Sequence, residues 1–474
     1  MTPTGDLERS WRGRRRLRAE QRLRLGGFGR DSSQSPQLRL RRAVRPAECP
    51  GHIATTAHVQ AAYPFVAEAG LGSRGVLIGR DVYGGAFVID PWLLYQEGRL
   101  HDPNMLILGR LGYGKSALTK TLLFRQRLFG RRVEVTDPKG EYDRLIRALG
   151  GVVLRLEPGG QTQLNPLEWI GSDEQRQALL HAVARAILSR ELHQYEAVGL
   201  TAALAAVDAR QAGCDVCIPD VVSELREPSE RTASEMNVAL GRARHELRDC
   251  ALALHRLCVG PLRGMFDGPT NAGEATWDAP AISLNISQLG GLALDDTAIA
   301  ITMICATAFL DAKRLQRTQR AYREDRAPEQ TIRSNDEGWR ILAVPGLAEY
   351  YQRSFKLSRE TGVQNVLVVH RFSDLSAVGD RGSRLQQLAE GIVSETATRV
   401  VYRQAERDLK LTTDVLGLSD EEERIVGERL GQGEALWRVE GRSFRVRHLI
   451  SSVEWPLIQT DRAMGTRPAR AVGR

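Results

Sequence analysis

The chain has 474 residues, of which 42% are hydrophobic, enough for two or three domains with a substantial core. This composition excludes a wholly disordered protein. The longest apolar run, Ala298–Leu310, has 13 residues, fewer than the roughly 20 that a membrane-spanning helix needs. Six cysteines in so long a chain do not form the framework of a secreted disulfide-rich protein.

The net charge of +8 comes from the N-terminus. Residues 1–45 hold thirteen Arg against four acidic residues, a net of +9, so the remaining residues sum to −1. Clustered arginines bind anionic lipid or nucleic acid, but apolar residues are too few here for a clear amphipathic face. A solvated, disordered tail is therefore favoured, with peripheral membrane contact or DNA contact as the alternative. No apolar segment of the secretory type follows the charges, and we expect a cytoplasmic protein, with peripheral attachment at the inner face of the membrane as a further role of the tail.

The segment Gly75–Tyr95 predicts a β-hairpin that turns near Gly84 and Gly85, with a short apolar run on either side of the two glycines.

The strongest motif is "GRLGYGKS", which matches G-x-x-x-x-G-K-[ST] over Gly109–Ser116. It follows a short apolar strand, Met105–Leu108, and precedes a helix that ends near Gly130. The glycines let backbone N–H groups face a phosphate chain at a helix N-terminus; Lys115 reaches the β and γ phosphates and Ser116 ligates Mg²⁺. The residues predicted to bind nucleotide here are Gly109, Arg110, Leu111, Gly112, Tyr113, Gly114, Lys115, Ser116 and Ala117. We expect ATP and Mg²⁺ as cofactors.

The next segment, "RRVEVTDPKGEYDRLIRALGGVVLRLEPG", predicts a strand that ends at Asp137, a turn, a helix and a further strand at Val152–Leu156. This alternation is typical of a parallel sheet covered by helices. Asp137 and Glu141 follow a strand's carboxyl end, where such sheets bind ligands. Two interpretations are equally weighted: both residues belong to the nucleotide site, or they only form the turn and start the helix.

A long Ala- and Leu-rich stretch follows, which predicts helices without strands. A strand at Ala281–Ser287 and an apolar helix over 297–314 then resume the sheet pattern. The predicted division of the chain is 1–45 Arg-rich tail, 46–100 N-terminal hairpin region, 101–171 first half of the motor domain, 172–275 all-α insert, 276–450 second half of the motor domain, and 451–474 C-terminal tail. A lone "CDVC" at Cys214–Cys217 lacks a second pair at zinc-binding spacing, so reduced thiols are expected.

In order, "GRLGYGKS", "DPKGEY", "LNPLEW", "GMFDGPT", "NDEGWRIL" and "VLVVHRFSDL" resemble the motifs of conjugal-transfer and type IV secretion ATPases, of an actinobacterial type, in the HerA/FtsK-like branch of P-loop motors. The resemblance covers about residues 75–450. It implies an α/β fold: a RecA-like P-loop NTPase core with a mostly parallel sheet, an all-α insert and a small N-terminal β-hairpin region. It also implies a homo-oligomer, a hexamer with ATP between subunits, attached to a secretion or conjugation membrane complex.

"NDEGWRIL" supplies the acidic pair that hydrolysis requires. Asp336 is predicted to hold Mg²⁺ and Glu337 to orient the attacking water. The preceding residues Arg333, Ser334 and Asn335 are polar where such a strand is usually apolar. An acidic loop that caps a helix is the alternative interpretation.

His370 ends the apolar strand "NVLVVH", near the expected γ-phosphate. Motors of this branch place a nucleotide-state sensor there, and His370 can form the same hydrogen bonds; a structural histidine is equally weighted. For an arginine finger, Arg399 or Arg403 is the candidate, with Arg381 and Arg384 in the preceding loop as others.

The function that this set of motifs favours is an ATPase motor that powers conjugal transfer or type IV secretion. A DNA-pumping translocase of the same superfamily is the nearest alternative. A nucleotide-binding assembly component without hydrolysis is another, motivated by the polar residues before Asp336. A small-molecule kinase also uses a P-loop, but the ordered motifs argue against it.

Overall fold

The computed structural model describes residues 70–168, 173–211, 215–291, 296–344, 346–371 and 390–460. All of them belong to one unit, Val66–Arg474. The Arg-rich tail, Cys214, Arg381 and Arg384 lie outside the described residues.

Within the described residues, eleven strands form one sheet in the order β2-β1-β11-β10-β9-β3-β8-β7-β4-β6-β5. The strands are β1 (Val76–Asp81), β2 (Ala86–Ile89), β3 (Met105–Leu108), β4 (Arg132–Asp137), β5 (Val152–Arg155), β6 (Ala281–Asn285), β7 (Thr331–Asn335), β8 (Val363–Val369), β9 (Thr398–Val401), β10 (Glu434–Val439) and β11 (Arg442–His448).

The seven strands from β9 to β5 are parallel, and β10, β11, β1 and β2 extend the sheet with antiparallel pairs. Parallel strands are covered on both faces, which explains the continuous apolar runs of β3 and β8; every residue of these two strands is buried. The predicted hairpin is confirmed as β1–β2, which turns over Asp81–Gly85. The expected α/β class with a mostly parallel sheet is confirmed.

Helices flank the sheet and fill the connections. They are α1 (Pro91–Gln96), α2 (Lys115–Leu128), α3 (Asp143–Ala148), α4 (Asp173–Leu188), α5 (Gln194–Arg210), α6 (Ile218–Arg226), α7 (Glu230–Glu235), α8 (Leu240–Glu246), α9 (Arg248–His255), α10 (Glu274–Trp277), α11 (Ser287–Gly291), α12 (Asp296–Arg323), α13 (Trp339–Leu342), α14 (Leu347–Lys356), α15 (Ser358–Thr361), α16 (Glu406–Leu416), α17 (Asp420–Arg424) and α18 (Trp455–Ile458). A short 3₁₀ turn spans Gly260–Leu262 and a π-turn spans Ile425–Arg429. None of the described helices is both long and apolar enough to cross a membrane.

Helices α4 to α9 form the predicted helical insert between β5 and β6. Its first helix, α4, packs against α12 and α14, which lie outside the insert, as well as against α5 and α9. Arg185 of α4 forms an ion pair with Glu349 of α14 at 2.6 Å. The insert therefore shares its core with helices that flank the sheet.

The polar strand β7 is fully buried, and an ion-pair network compensates its charge. Arg333 is 0% exposed; its guanidinium contacts Glu134 of β4 at 2.7 Å and Asp311 of α12 at 2.7 Å. Arg317 binds the other oxygen of Glu134 at 3.0 Å. Burial alone would raise the Glu134 pKa, but Arg333 and Arg317 outweigh it and lower the pKa to about 2. Asn335 donates to the Tyr351 hydroxyl at 2.6 Å.

Candidate nucleotide and catalytic site

The phosphate loop Gly109–Ser116 joins β3 to α2, as predicted. Gly109, Gly112 and Gly114 have φ of +145°, +81° and +108°, a region that favours glycine. At Gly109 a side chain is also excluded sterically, because a Cβ would lie 2.4 Å from the Cβ of Tyr402. The loop therefore needs glycine for its shape, and it ends at the N-terminus of a 14-residue helix, where N–H groups are available to an anion.

The last two side chains of the loop, Lys115 and Ser116, are held by neighbouring oxygens. Lys115 is buried, and its ammonium donates to the carbonyls of Gly109 and, at 3.1 Å, Arg110. The Ser116 hydroxyl donates to Glu141 at 3.3 Å. Both side chains thus lie on the wall of one cleft of about 750 Å³.

Glu141 lies on the same wall and accepts from two further groups. The same carboxylate oxygen receives Lys120 at 2.9 Å and the Thr460 hydroxyl at 3.1 Å. Burial raises the Glu141 pKa, but the Lys120 ammonium outweighs this and lowers it. The carboxylate therefore stays charged beside Ser116.

Asp137 has a different position. One of its oxygens accepts from the backbone N–H groups of Lys139, Gly140 and Glu141 at 2.8–3.2 Å, and the other accepts from Tyr142 at 2.9 Å. These contacts close the turn after β4. The geometry favours the turn interpretation for Asp137 and the site interpretation for Glu141.

The acidic pair lies at the carboxyl end of β7, and both side chains are buried. Glu337 accepts from the Lys139 ammonium, from His370 Nε2 at 3.0 Å and from the Trp339 indole. Burial would raise the Glu337 pKa, but the hydrogen bonds from His370 and Lys139 outweigh it and lower the pKa to about 2. The following helix α13 has Gly338 as its N-cap, without a side-chain cap. Neither acidic side chain therefore forms a cap hydrogen bond with α13.

Asp336 lines the cleft next to Lys139 and His370. The Tyr142 hydroxyl approaches it at 3.5 Å and the Glu337 backbone N–H at 3.1 Å. Burial raises its pKa more strongly than the Lys139 charge lowers it. The positive charge beside the Asp336 carboxylate therefore does not offset its burial. This carboxylate and the Ser116 hydroxyl are oxygen donors of the kind that Mg²⁺ prefers.

The two finger candidates lie at different levels of β9. Arg399 pairs with Leu106 in mid-strand, and its guanidinium donates to the carbonyls of Thr396 and Val393 at 3.2 and 3.1 Å. Arg403 follows β9, and its carbonyl accepts from the Arg110 N–H at 3.0 Å. The backbone of Arg403 therefore lies beside the phosphate loop of the same chain, whereas the Arg399 guanidinium is held by carbonyls that precede β9.

Sequence reasoning missed the far wall of the cleft. Part of the segment predicted as a C-terminal tail, residues 451–460, packs against α2 and α3 through α18. The missed wall residues include Ile78, Gln432, Arg447, His448, Trp455 and Thr460. No local motif marks them, because they meet the phosphate loop only through the sheet topology.

No zinc site is found in the described part of the chain. Cys217, Cys250, Cys258 and Cys305 are free thiols there, and no described group of three or more His, Cys, Asp or Glu is arranged for a metal. The Mg²⁺ assignment depends instead on Ser116 and Asp336, with the phosphates and water as the other ligands that this ion usually keeps.

Comparison with known proteins identifies the fold. The AAA-like domain family matches residues 96–252. VirB4 of Thermoanaerobacter pseudethanolicus is 21% identical, with a TM-score of 0.65 over 82% of this chain and 100% of that chain. The plasmid coupling protein TrwB is 14% identical; its unbound form and its complex with ADP and Mg²⁺ give TM-scores of 0.53 and 0.52, each over 80% of this chain and 91% of that chain. No curated protein sequence matches significantly.

The chain has the P-loop NTPase fold of VirB4 and TrwB. The resemblance predicted from the sequence is thereby confirmed for the fold, including the RecA-like core, the helical insert and the N-terminal hairpin.

Proposed function

We propose that this protein is an ATP-hydrolysing motor that powers conjugal transfer or type IV secretion. The observation that carries the proposal is the position of Glu337, a buried, ionised carboxylate at the end of β7 that accepts from Lys139 and His370, two residues that line the same cleft as the phosphate loop. The fold shared with VirB4 and TrwB supports it.

Each residue has a defined part in this proposal. The backbone N–H groups of Gly109–Ser116 and the Lys115 ammonium bind the phosphates of ATP. Ser116 and Asp336 hold Mg²⁺, which when bound would stabilise charge on the phosphates. Glu337 accepts a hydrogen bond from the attacking water, and because its pKa is near 2 it is ionised at neutral pH. His370 donates to Glu337 and connects this carboxylate to the nucleotide edge of β8.

Glu337 must exchange partners to do this. Lys139, His370 and Trp339 all donate to its carboxylate. At least one of these hydrogen bonds must therefore break before the Glu337 carboxylate can accept from a water molecule. Lys139 is the residue expected to move, because its side chain is 40% exposed and lines the cleft.

The buried network of β7 bears on the non-hydrolysing alternative. Arg333 is one of the polar residues that motivated that alternative. Its guanidinium is paired with Glu134 and Asp311, and Arg333 is not among the residues that line the cleft. A polar β7 is thus compatible with a working acidic pair, and this favours the ATPase proposal. The DNA-pumping translocase stays as a second candidate on the shared fold.

The proposal extends to the assembly. A hexamer with ATP between subunits, with Arg399 or Arg403 of a neighbouring subunit as the arginine finger, is the arrangement we expect. Attachment to a secretion or conjugation membrane complex, direct DNA contact, and membrane contact through residues 1–45 belong to the same proposal.

The test is ATP turnover in the parent protein and in Glu337→Gln. The substitution keeps the size of the side chain but removes the carboxylate, so turnover should fall about 10²-fold or more. Fluorescent ATP should still bind to the variant. Zero turnover in the purified parent protein, alone and with DNA, would contradict the motor proposal.

Two further measurements separate the candidates. The mass in the presence of ATP and Mg²⁺ gives the oligomer, and a monomer at all concentrations would argue against a shared site. An ATPase rate that rises strongly with DNA would favour the translocase.

A further inference from the structure

Four groups outside the motif contact consecutive parts of the phosphate loop. The Arg110 N–H donates to the Arg403 carbonyl at 3.0 Å. Further along, three consecutive carbonyls are bound from outside the loop: Gly112 by the Gln432 side chain at 3.0 Å, Tyr113 by the Gly433 N–H at 3.0 Å, and Gly114 by the Tyr402 hydroxyl at 3.1 Å.

These contacts determine the direction in which the backbone N–H groups of the loop point. In a planar trans peptide the C=O and the N–H point in opposite directions. Binding of the carbonyls of Gly112, Tyr113 and Gly114 from outside therefore turns the N–H groups of residues 113, 114 and 115 away from these partners, in the direction in which a phosphate cradle needs them.

Tyr402 has two contacts with the loop besides its hydroxyl bond. Its Cβ allows no side chain at Gly109, and its ring lies 3.6 Å from the position of a Cβ at Gly114. Tyr402 thus packs against the first glycine of the loop with its Cβ and backbone and against the last with its ring.

A chain of hydrogen bonds fixes the Tyr402 hydroxyl. An indole N–H can only donate, so Trp437 Nε1 donates to His448 Nε2 at 2.9 Å. Neutral His448 must then carry its proton on Nδ1, which lies 2.9 Å from the Tyr402 oxygen and donates to it. The Tyr402 O–H is left to donate to Gly114. Burial and the nearby Arg125 lower the pKa of His448 to about 3, so the histidine is neutral at neutral pH.

We infer that Tyr402, Gln432, His448 and Trp437 are positioning residues for nucleotide: they hold the phosphate loop in the shape that accepts phosphate. The inference rests on the proposed nucleotide binding. It gives the β10–β11 hairpin a direct role in the site, since Trp437 and His448 lie on its two strands and Gln432 and Gly433 precede β10.

The test measures Kd for a fluorescent ADP with Mg²⁺ by titration, so that it does not depend on turnover. Gln432→Glu keeps the side-chain length but replaces the donor by a carboxylate that faces the Gly112 carbonyl. Tyr402→Phe removes the hydroxyl and keeps the ring. Each lost hydrogen bond is worth about 0.5–1.5 kcal/mol, so Kd should rise about 2- to 10-fold in Tyr402→Phe and at least as much in Gln432→Glu.

Matched controls separate positioning from stability. Gln96→Glu changes another exposed glutamine, in a groove with Arg131 and Gln330 at the opposite edge of the sheet. Trp277→Phe removes a buried aromatic donor, the indole N–H that donates to the Ala272 carbonyl at 3.0 Å, and is the control for Tyr402→Phe. We expect the controls to bind ADP as the parent does, and we expect Gln432→Glu to melt at the parent's temperature.

The outcomes are distinct. If the parent protein does not bind ADP, the proposed function fails. If the parent binds and Gln432→Glu and Tyr402→Phe bind equally well, the proposed function stands and the positioning role is wrong. If Tyr402→Phe melts at a lower temperature than the parent, the Kd of Gln432→Glu decides whether the positioning role holds. Gln432 is exposed, so its substitution does not disturb the core.

Discussion

At the scale of single residues, Glu337 is the most constrained group of the site. Its backbone φ is +56°, a conformation that costs a non-glycine residue free energy. Three donors surround its carboxylate. Such strain is typical of functional positions, where the surrounding structure holds a residue that would otherwise relax. Here the surrounding structure includes Lys139, which the sequence presented only as part of a turn.

The Lys139–Glu337 pair predicts a pH-dependent stability. The folded pKa of Glu337 is lowered, so its contribution is fully present above the usual value of 4.5 and is lost as the pH falls towards about 2. Lys139→Met removes one of the two main causes of the lowered pKa. We expect the variant to be less stable than the parent at pH 7, with a difference that shrinks at pH 3. Urea unfolding at both pH values measures this.

Arg144→Met is a suitable control for that comparison, because Arg144 is an exposed cation of α3 and its loss should give a small, pH-independent effect. An equal loss of stability in Lys139→Met at pH 7 and pH 3 would contradict the role of the ion pair.

At the scale of elements, β7 shows how a polar strand can occupy the middle of a parallel sheet. It lies between β8 and β4, where strands are usually apolar. Its charge is compensated by Glu134 of the neighbouring strand and Asp311 of α12. Breaking a buried pair is costly because it leaves one charge unpaired, whereas removing both partners costs much less.

The buried pair predicts a specific pattern in a double-mutant cycle. Arg333→Met should destabilise the protein by roughly 3–5 kcal/mol, since it leaves Glu134 without its closest cation. Adding Glu134→Gln should recover part of this loss, with a coupling free energy on the order of 0.5–3 kcal/mol. Urea unfolding of the single and double variants gives both quantities.

The exposed pair Arg242–Glu246 on α8 provides the control: Arg242→Met should cost less than about 0.5 kcal/mol. Additive effects of Arg333→Met and Glu134→Gln would mean that the two residues are not coupled.

Elements with a strong local pattern could be predicted from the sequence. The strand Met105–Leu108 and its loop need only neighbouring residues, and both are confirmed. The partners of β7 could not be predicted, since Glu134 lies 199 positions from Arg333. Strand register places Arg399 within β9 and Arg403 just after it, a difference that no local pattern shows. Asp137 was ambiguous because one carboxylate suits either a turn or a ligand.

At the scale of the whole molecule, the phosphate loop is where the two parts of the sheet meet. The parallel part ends at β9, next to β3, and the antiparallel part begins at β10. The loop after β3 contacts residues that follow β9 and residues that precede β10. Residues 451–460 add a further contact, since Lys120 of α2 donates to the Thr460 hydroxyl at 2.8 Å. Nucleotide bound at the loop should therefore stabilise the whole unit and not only the loop.

Mass action sets the size of that stabilisation. With Mg²⁺ and ADP at about 100 times Kd, the free energy of unfolding should rise by about 2.7 kcal/mol, and the melting temperature by roughly 2–4 °C for a domain of this kind. Lys115→Ala should abolish the shift, because it removes the ammonium that is predicted to bind the phosphates. Ser116→Ala should leave a smaller shift that no longer responds to Mg²⁺, since the hydroxyl is a predicted ligand of the ion. Thermal melts of the parent, Lys115→Ala and Ser116→Ala with ADP and Mg²⁺, with and without EDTA, measure the shift in melting temperature. A shift in the parent that does not depend on Mg²⁺ would contradict the assignment of Ser116 and Asp336 as ligands of the ion.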